Sequence, residues 1–197
     1  MTSRFPSALR TTILAVVTLL ALTACGGSDS GAADQGLTKV AAQAGWTTTK
    51  LDGITISAPH EWTKGKTTQA TPTMKSTVWR AAAVAGTAPG GMEVRVISKP
   101  QQNAKKAALA LSISASASLN AGKIDPEKIV WPRAKSAYFY ATVITAGPTG
   151  KESKFSSATV VFDLPDGRQI QVTSLARQGT KQAEPTTVLG TIRLPAN

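Results

Sequence analysis

The sequence predicts an α+β domain: an antiparallel sheet with one main helix and a short C-terminal helix packed on one side of it. Residues 102–119 carry apolar side chains at spacings of three and four, which is typical of a helix. Short runs rich in β-branched residues lie before and after this helix, separated by turn-forming stretches. Because these strands do not alternate regularly with helices, we expect the sheet to be antiparallel.

Two strand regions are predicted before the helix. Residues 54–56 alternate in polarity, and Pro59 ends this first strand. Residues 76–85 and 92–99 are rich in apolar residues and flank a stretch containing glycine and proline. That stretch is turn-forming, so the two runs predict a hairpin.

The register of this hairpin decides which side chains share a face. We expect Ala85 to face Met92, and the strand period of two then divides the residues into two sets. The inner set is Trp79, Ala81, Ala83, Val94 and Val96. The outer set is Arg80, Glu93 and Arg95.

The main helix carries a stripe of mostly small apolar residues: Ala104, Ala107, Ala108, Leu111, Ala115 and Leu119. Small side chains allow a helix to pack close to a sheet, so we expect this stripe to face one. Lys105 and Lys106 lie off the stripe.

Four more strands and a short helix are predicted after the main helix. The strands are residues 128–131, 137–145, 156–164 and 168–176. Asp166-Gly167 between the last two is a strong hairpin signal. Residues 184–194 predict the short C-terminal helix, with Pro185 in its first turn.

The N-terminal segment has the pattern of an export signal. Arg4 and Arg10 precede an uncharged apolar run over residues 11–24, which is shorter than the roughly 20 residues that cross a bilayer. The run ends in Leu22, Thr23, Ala24 and Cys25, which resembles the bacterial lipobox, with Cys25 as the lipidated residue. The alternative is an ordinary signal peptide with a chance cysteine, but Cys25 is the only cysteine in the chain.

These features divide the chain into three parts. Residues 1–24 are a lipoprotein signal peptide, residues 25–45 are the lipidated cysteine and a flexible linker, and residues 46–197 are a single α+β domain. The expected location is the outer face of the cytoplasmic membrane, after export. The membrane is then a partner through the lipid anchor, which holds a protein stably when two acyl chains are present.

The stretch LDGITISAPHEW, residues 51–62, resembles the opening of PsbP-like domains, in which a short alternating strand is followed by a proline and then a tryptophan three residues on. Over about residues 46–195 the chain is similar to the LpqN-type lipoproteins of actinobacteria, which carry this domain behind a lipobox. The resemblance implies a PsbP-like fold and an accessory or partner-binding role. It implies no catalytic motif.

The residue types that carry most catalysis are scarce. His60 is the only histidine and lies in a predicted turn, and no G-x-S-x-G motif is present. Residues 147–152 have the wrong spacing for a phosphate loop, and Asp163 and Asp166 are too few for a calcium site. We therefore expect no catalytic centre, no metal site and no cofactor.

The chain is basic, with 22 Lys and Arg residues against 11 Asp and Glu residues and a formal net charge of +11. Nucleic acid is the usual partner of such a protein, but export argues against it. The remaining polyanions are anionic lipids, wall polymers and acidic proteins. Arg80, Arg95 and Lys99 form a candidate anion-contact stripe on the outer face of the hairpin, and the alternative is that the charge serves only solubility.

Two functions remain open. The first is a non-enzymatic accessory lipoprotein that binds an unidentified envelope protein. The second is a lipoprotein that binds a small or lipid-like molecule in a pocket between helix and sheet. The second requires small residues on the sheet opposite the alanine-rich stripe.

Overall fold

The computed structural model describes residues 36–84, 87–119, 121–147 and 152–196. The predicted signal peptide, the lipobox and Cys25 lie outside the described residues. The elements in the described ranges are β1 Trp46–Leu51, β2 Ile54–Pro59, β3 Thr63–Lys64, β4 Thr68–Thr71, β5 Met74–Arg80, β6 Gly90–Ile97, α1 Ala104–Ser118, β7 Glu127–Ile129, β8 Ser136–Ala146, β9 Ser153–Asp163, β10 Gln169–Arg177 and α2 Pro185–Gly190. None of the helices in these ranges has the length and apolarity that crossing a membrane requires.

The predicted α+β class is wrong, because the residues that the structure describes are mostly β, with 46% strand and 13% helix. The prediction missed β1, β3 and β4. The sequences of β1 and β4, WTTTKL and TQAT, lack an alternation of apolar and polar residues, and β4 is exposed throughout. Such strands form because their backbones pair with a neighbour, a contact that leaves no hydrophobic pattern in the sequence.

Eight strands form one large sheet in the order β3-β5-β6-β10-β9-β8-β7, with β4 also paired to β5. Every pairing in it is antiparallel. The strands β1 and β2 form a separate two-stranded sheet. The strand β10 lies between β6, which precedes α1 in the chain, and β9, which follows it. The sheet therefore combines strands from both parts of the chain.

The predicted hairpin exists as β5 and β6, but its register differs from the prediction. Trp79, not Ala85, pairs with Met92, so the connection is longer than expected. The shift is six residues along the strand. A shift by an even number of residues leaves each side chain on its predicted face. Trp79 and Val94 therefore share one face, as predicted. Arg80, Glu93 and Arg95 share the other.

One face of the large sheet is closed by α2 and the β1–β2 sheet. Its core contains buried aromatic and branched residues from every layer: Ile54, Ile56, Trp62, Trp79, Trp131, Phe139, Val160, Phe162, Val172, Leu189 and Ile192. The Trp131 and Phe162 rings lie 5.5 Å apart between centroids. The tryptophans of this core therefore have packing roles.

The other face carries α1, so the expectation that both helices pack on one side is also wrong. Val160 packs in the core beneath α2, whereas its neighbour Val161 packs against α1. Adjacent residues of a strand point to opposite faces of its sheet. The two helices therefore lie on opposite faces.

Contacts with the domain begin before Trp46, where the predicted linker ended. Leu37 is buried, and the amide of Val40 donates to the carbonyl of Gly190 at 2.9 Å. The Nη2 of Arg193 donates to the Val40 carbonyl at 2.6 Å. These contacts attach residues 37–40 to the end of α2.

Candidate functional site

The N-terminus of α1 is fastened to the sheet by a carboxylate. Asp163, at the end of β9, accepts hydrogen bonds from the amide of Ala104, the hydroxyl of Ser136 and the side-chain amide of Gln169, at 2.8, 2.8 and 3.0 Å. The Asn103 side chain caps the helix by accepting from the Lys106 amide at 3.1 Å. Asp163 thus serves as an anchor for the helix.

The two halves of α1 pack differently. In the first half, Ala104, Ala107 and Ala108 are fully buried against Val161. In the second half, Leu111, Ala115 and Leu119 at its end are only partly buried. The helix packs on β8 and β9, and the neighbouring strands β10, β6 and β5 extend beyond it. A groove is therefore left beside the second half of the helix.

We call this space the α1 groove, and it has a volume of about 680 Å³. Its wall is formed by α1 and its floor by the sheet. The wall residues are Leu111, Ser114, Ala115 and Leu119. The floor includes Val78, Arg80, Gly91, Glu93, Arg95, Tyr140, Ile144, Ser157, Thr159, Gln171, Thr173 and Leu175. The volume lies within the range of about 300–1,000 Å³ that is usual for small-molecule sites.

A row of polar side chains crosses the middle of the floor. Tyr140, Thr159, Thr173 and Glu93 pair successively across β8, β9, β10 and β6. The hydroxyls of Thr159 and Thr173 are 2.9 Å apart and hydrogen bonded. Burial raises the pKa of Tyr140, a change only partly offset by its hydrogen bond with Thr159 and the nearby charge of Arg95. The phenol is therefore neutral at physiological pH.

An ion pair lies at the β6 end of this row. Arg95 donates from Nε and Nη2 to the two carboxylate oxygens of Glu93, both at 2.9 Å, and the Ser76 hydroxyl donates to the same carboxylate at 2.6 Å. Burial by itself raises the pKa of Glu93, but the hydrogen bonds from Arg95 and Ser76 and the charge of Arg95 outweigh it, so this pKa lies below its usual value of 4.5. The charges of Glu93 and Arg95 on the floor therefore cancel each other.

The structure separates the three residues of the candidate anion-contact stripe. Arg80 and Arg95 both line the α1 groove, whereas Lys99 is exposed beyond the end of β6 and does not line it. On the β5–β6 register Arg80 and Arg95 are four residues apart, or about 13 Å. Arg95 is half-buried and bound to Glu93, while Arg80 is exposed and has no ion pair within the described ranges.

The other residues considered for catalysis do not meet in the groove. His60 is exposed, with its Nδ1 3.1 Å from the Gly45 carbonyl oxygen and 3.4 Å from the Glu61 carboxylate. Asp166 accepts from the amide and side chain of Arg168 in the β9–β10 turn. In the part of the chain that the structure describes, no three His, Cys, Asp or Glu residues are grouped so as to hold a metal. Most of the weak phosphate-loop motif, residues 148–151, lies outside that part.

Sequence reasoning required small residues opposite the alanine stripe but did not identify them. They are Gly91, Ser157, Thr159 and Thr173. Ser157 and Thr159, two positions apart on β9, and Thr173 on β10 were a visible signal of this floor. Their significance depends on the pairing of β10 with both β6 and β9, which is not encoded in any local pattern.

No known protein family matches the sequence, and no curated protein does so either. A crystal structure of a protein from Bacteroides thetaiotaomicron VPI-5482 aligns with this chain with a TM-score of 0.41 and 10% sequence identity. The alignment covers 73% of this chain and 46% of that one, so this chain spans less than half the length of that protein.

Proposed function

We propose that this protein is a non-enzymatic binding protein that holds a small apolar or lipid-like molecule in the α1 groove. The observation that carries this proposal is the groove of about 680 Å³ between helix and sheet. Of the two functions left open by the sequence, ligand binding requires such a space and an accessory role does not. Ligand sites of this size are usually mostly apolar, with a few placed polar groups.

The lining of the groove supports an apolar ligand. Leu111, Leu119, Leu175, Val78 and Ile144 provide the apolar surface. On the floor, the Thr159 and Thr173 hydroxyls are bonded to each other and Glu93 is bonded to Arg95, and no buried side-chain nitrogen or oxygen in the described ranges lacks a hydrogen-bond partner. Apolar burial, at roughly 25 cal/mol per Å², is then the main source of affinity.

The arrangement of charged groups supports a role without catalysis. Glu93 is the carboxylate that lines the groove, and it is held as an anion by Arg95 and Ser76. A general base requires a pKa near the working pH, whereas the pKa of Glu93 is lowered. His60 lies away from the groove lining.

The proposal includes export and anchoring through Cys25. Its support is the sequence Leu22-Thr23-Ala24-Cys25 after an apolar run, and the expected site is the outer face of the cytoplasmic membrane. Cys25→Ala is expected to move the protein out of the membrane fraction or leave it unprocessed. Mass spectrometry that finds a free Cys25 thiol in the mature protein contradicts this part.

Groove binding is tested with a neutral apolar fluorescent probe, N-phenyl-1-naphthylamine, and a variant that fills the space. Ser114 is exposed on α1 and lines the groove, so Ser114→Trp is expected to weaken binding at least tenfold. Ala110→Trp is the matched control, because Ala110 is exposed on the same helix and does not line the groove. Equal binding by both variants and the parent protein overturns the proposed site.

A second observation favours the accessory role, in which an envelope protein is the partner. Leu109 and Ile113 lie one turn apart on α1 and are 42% and 59% exposed. Crosslinking in intact envelopes distinguishes the two functions. A partner whose crosslinks are lost in Leu109→Asp/Ile113→Asp but retained in Ser114→Trp supports the accessory role instead of ligand binding.

A further inference from the structure

We infer that the α1 groove takes an anionic amphiphile, whose head group pairs with Arg80 at the β5 side and whose alkyl chain lies across the floor toward α1. This inference rests on the proposed function, because it names the ligand class of the same groove. It follows from the charges that line the groove, the position of Arg80 and the direction in which the apolar wall lies.

The charge balance of the lining is positive. Its charged residues are Arg80, Glu93 and Arg95. Glu93 and Arg95 bind each other through two hydrogen bonds of 2.9 Å, so together they present no net charge to a ligand. Arg80 has no ion pair within the described ranges. The net charge that a ligand meets is therefore the single positive charge of Arg80.

The backbone beside Arg80 leaves room for a head group. Arg80 pairs with Gly91, which has no side chain to cover the floor at that point. Glycine is required there, because a Cβ on Gly91 would lie 2.5 Å from the carbonyl oxygen of Trp79. The guanidinium is exposed, and it can bind a carboxylate or phosphate through two parallel hydrogen bonds.

Apart from Val78, which is on β5 with Arg80, the larger apolar side chains of the lining that provide its surface lie on the opposite side of the groove. Three strand spacings separate β5 from β9, which α1 covers, a distance of about 14 Å. Leu175 lies between these strands, and Leu111 and Leu119 form the wall. An amphiphile with its head at Arg80 can therefore place an alkyl chain against that wall.

The centre of the floor does not suit a charged head group. An added anion there would compete with Glu93 for Arg95, and an added cation would compete with Arg95 for Glu93. Breaking a partly buried pair leaves one charge without its partner, which is costly. At the exposed rim Arg80 can bind an anion without breaking an ion pair of the described residues, so the head group belongs at that end.

The test compares three molecules with the same dodecyl-length chain and different heads: dodecanoate, methyl dodecanoate and dodecyltrimethylammonium. Each displaces the neutral naphthylamine probe from the full chain at concentrations below micelle formation. Dodecanoate is expected to bind about tenfold more tightly than the methyl ester, with the cation weakest. This preference is expected to shrink as salt is added, because Arg80 is exposed and screened.

The variant Arg80→Gln is expected to remove the preference for dodecanoate over methyl dodecanoate. Arg80→Lys keeps the charge and is expected to retain part of the preference. Lys99→Gln is the matched control, since it removes one positive charge outside the groove and is expected to change nothing. Thermal unfolding checks that each variant is folded.

The outcomes separate the inference from the function on which it rests. If all three molecules bind equally, or if Arg80→Gln and Lys99→Gln behave alike, the head-group inference is overturned and the groove remains a site for apolar molecules. If neither the probe nor any of the three molecules binds, the proposed function fails. If the ammonium compound binds most tightly, the sign of the selected charge is wrong.

Discussion

The two faces of the large sheet are built from the same strands and are packed in different ways. The face under α2 contains large buried side chains, such as Phe139, Phe162 and Leu189, with apolar partners on every side. The face under α1 has Thr159 and Thr173 at the centre of its floor and a cavity of about 680 Å³ above them. The first face is filled by the core, and the second contains the groove in which we propose that a ligand binds.

The difference has a simple physical origin. Successive residues of a strand alternate between faces, so Val160 and Val172 belong to the closed face while Thr159 and Thr173 belong to the open one. Large apolar residues at one set of positions, and small hydroxyl residues at the centre of the other, leave one face closed and the other open. The following predictions test this contrast in order of decreasing effect.

The largest effect is expected from truncation of the closed face. Phe162→Ala removes a fully buried ring that packs against Trp131 and is expected to lower the free energy of unfolding by about 3–5 kcal/mol. Thr173→Ala on the open face is expected to cost about 1 kcal/mol, the value of one hydrogen bond. Urea unfolding measures both. Similar losses in the two variants would mean that the groove floor is packed as tightly as the core.

The second-largest effect is expected from loss of the Asp163 anchor of α1. Asp163→Ala removes the acceptor of the Ala104 amide and of the Ser136 hydroxyl, and one of the two acceptors of the Gln169 side-chain amide, a loss of about 2–3 kcal/mol. Binding of the naphthylamine probe should weaken as well, because the helix forms the groove wall. Asp166→Ala, in the exposed β9–β10 turn, is the control and is expected to leave probe binding unchanged. Loss of stability without loss of binding would show that the wall does not depend on this anchor.

A larger side chain on each face tests whether the closed face is filled and the open face has space. Ala158→Leu inserts a larger side chain into the closed face and is expected to cost about 1–3 kcal/mol by overpacking. Thr173→Leu adds similar bulk to the groove floor, where space is available, and is expected to cost about 1 kcal/mol, from the lost hydrogen bond to Thr159, while weakening probe binding. Thermal and urea unfolding of both variants give the values. The reverse order of costs contradicts the assignment of the open face.

The smallest effect is expected from pH. Because the folded-state pKa of Glu93 is below its usual 4.5, its ion pair contributes stability above about pH 4.5, and this contribution is lost as pH falls through the lowered pKa. Glu93→Gln is therefore expected to lower the free energy of unfolding mainly above that pH. As a result, the free energy of unfolding of the variant should fall less steeply as the pH is lowered. Glu127→Gln, at an exposed position on β7, serves as the control. An acid limb that is the same in both variants would show that the pair contributes nothing measurable.

The sequence by itself determined most of the longer elements. The spacing of Ala104, Ala107 and Ala108 predicted α1, and the Asp166-Gly167 turn predicted the β9–β10 hairpin, because helical period and turn chemistry are local properties. The prediction that Arg80 and Glu93 share one face is confirmed although the register was wrong. The register was wrong by six residues, and a shift by an even number leaves every side chain on the same face. The short polar strands β3 and β4 were missed because only pairing with β5 defines them.

Only the tertiary structure decided the fold class, the placement of the helices on opposite faces and the existence of the α1 groove. These depend on β10 lying between β6 and β9, and on α1 covering β8 and β9 while leaving β5 and β6 open. Which strands become neighbours is settled by contacts between residues far apart in the chain. For that reason Arg80, an ordinary surface cation in the sequence, became the charged rim of a cavity only when the sheet was assembled.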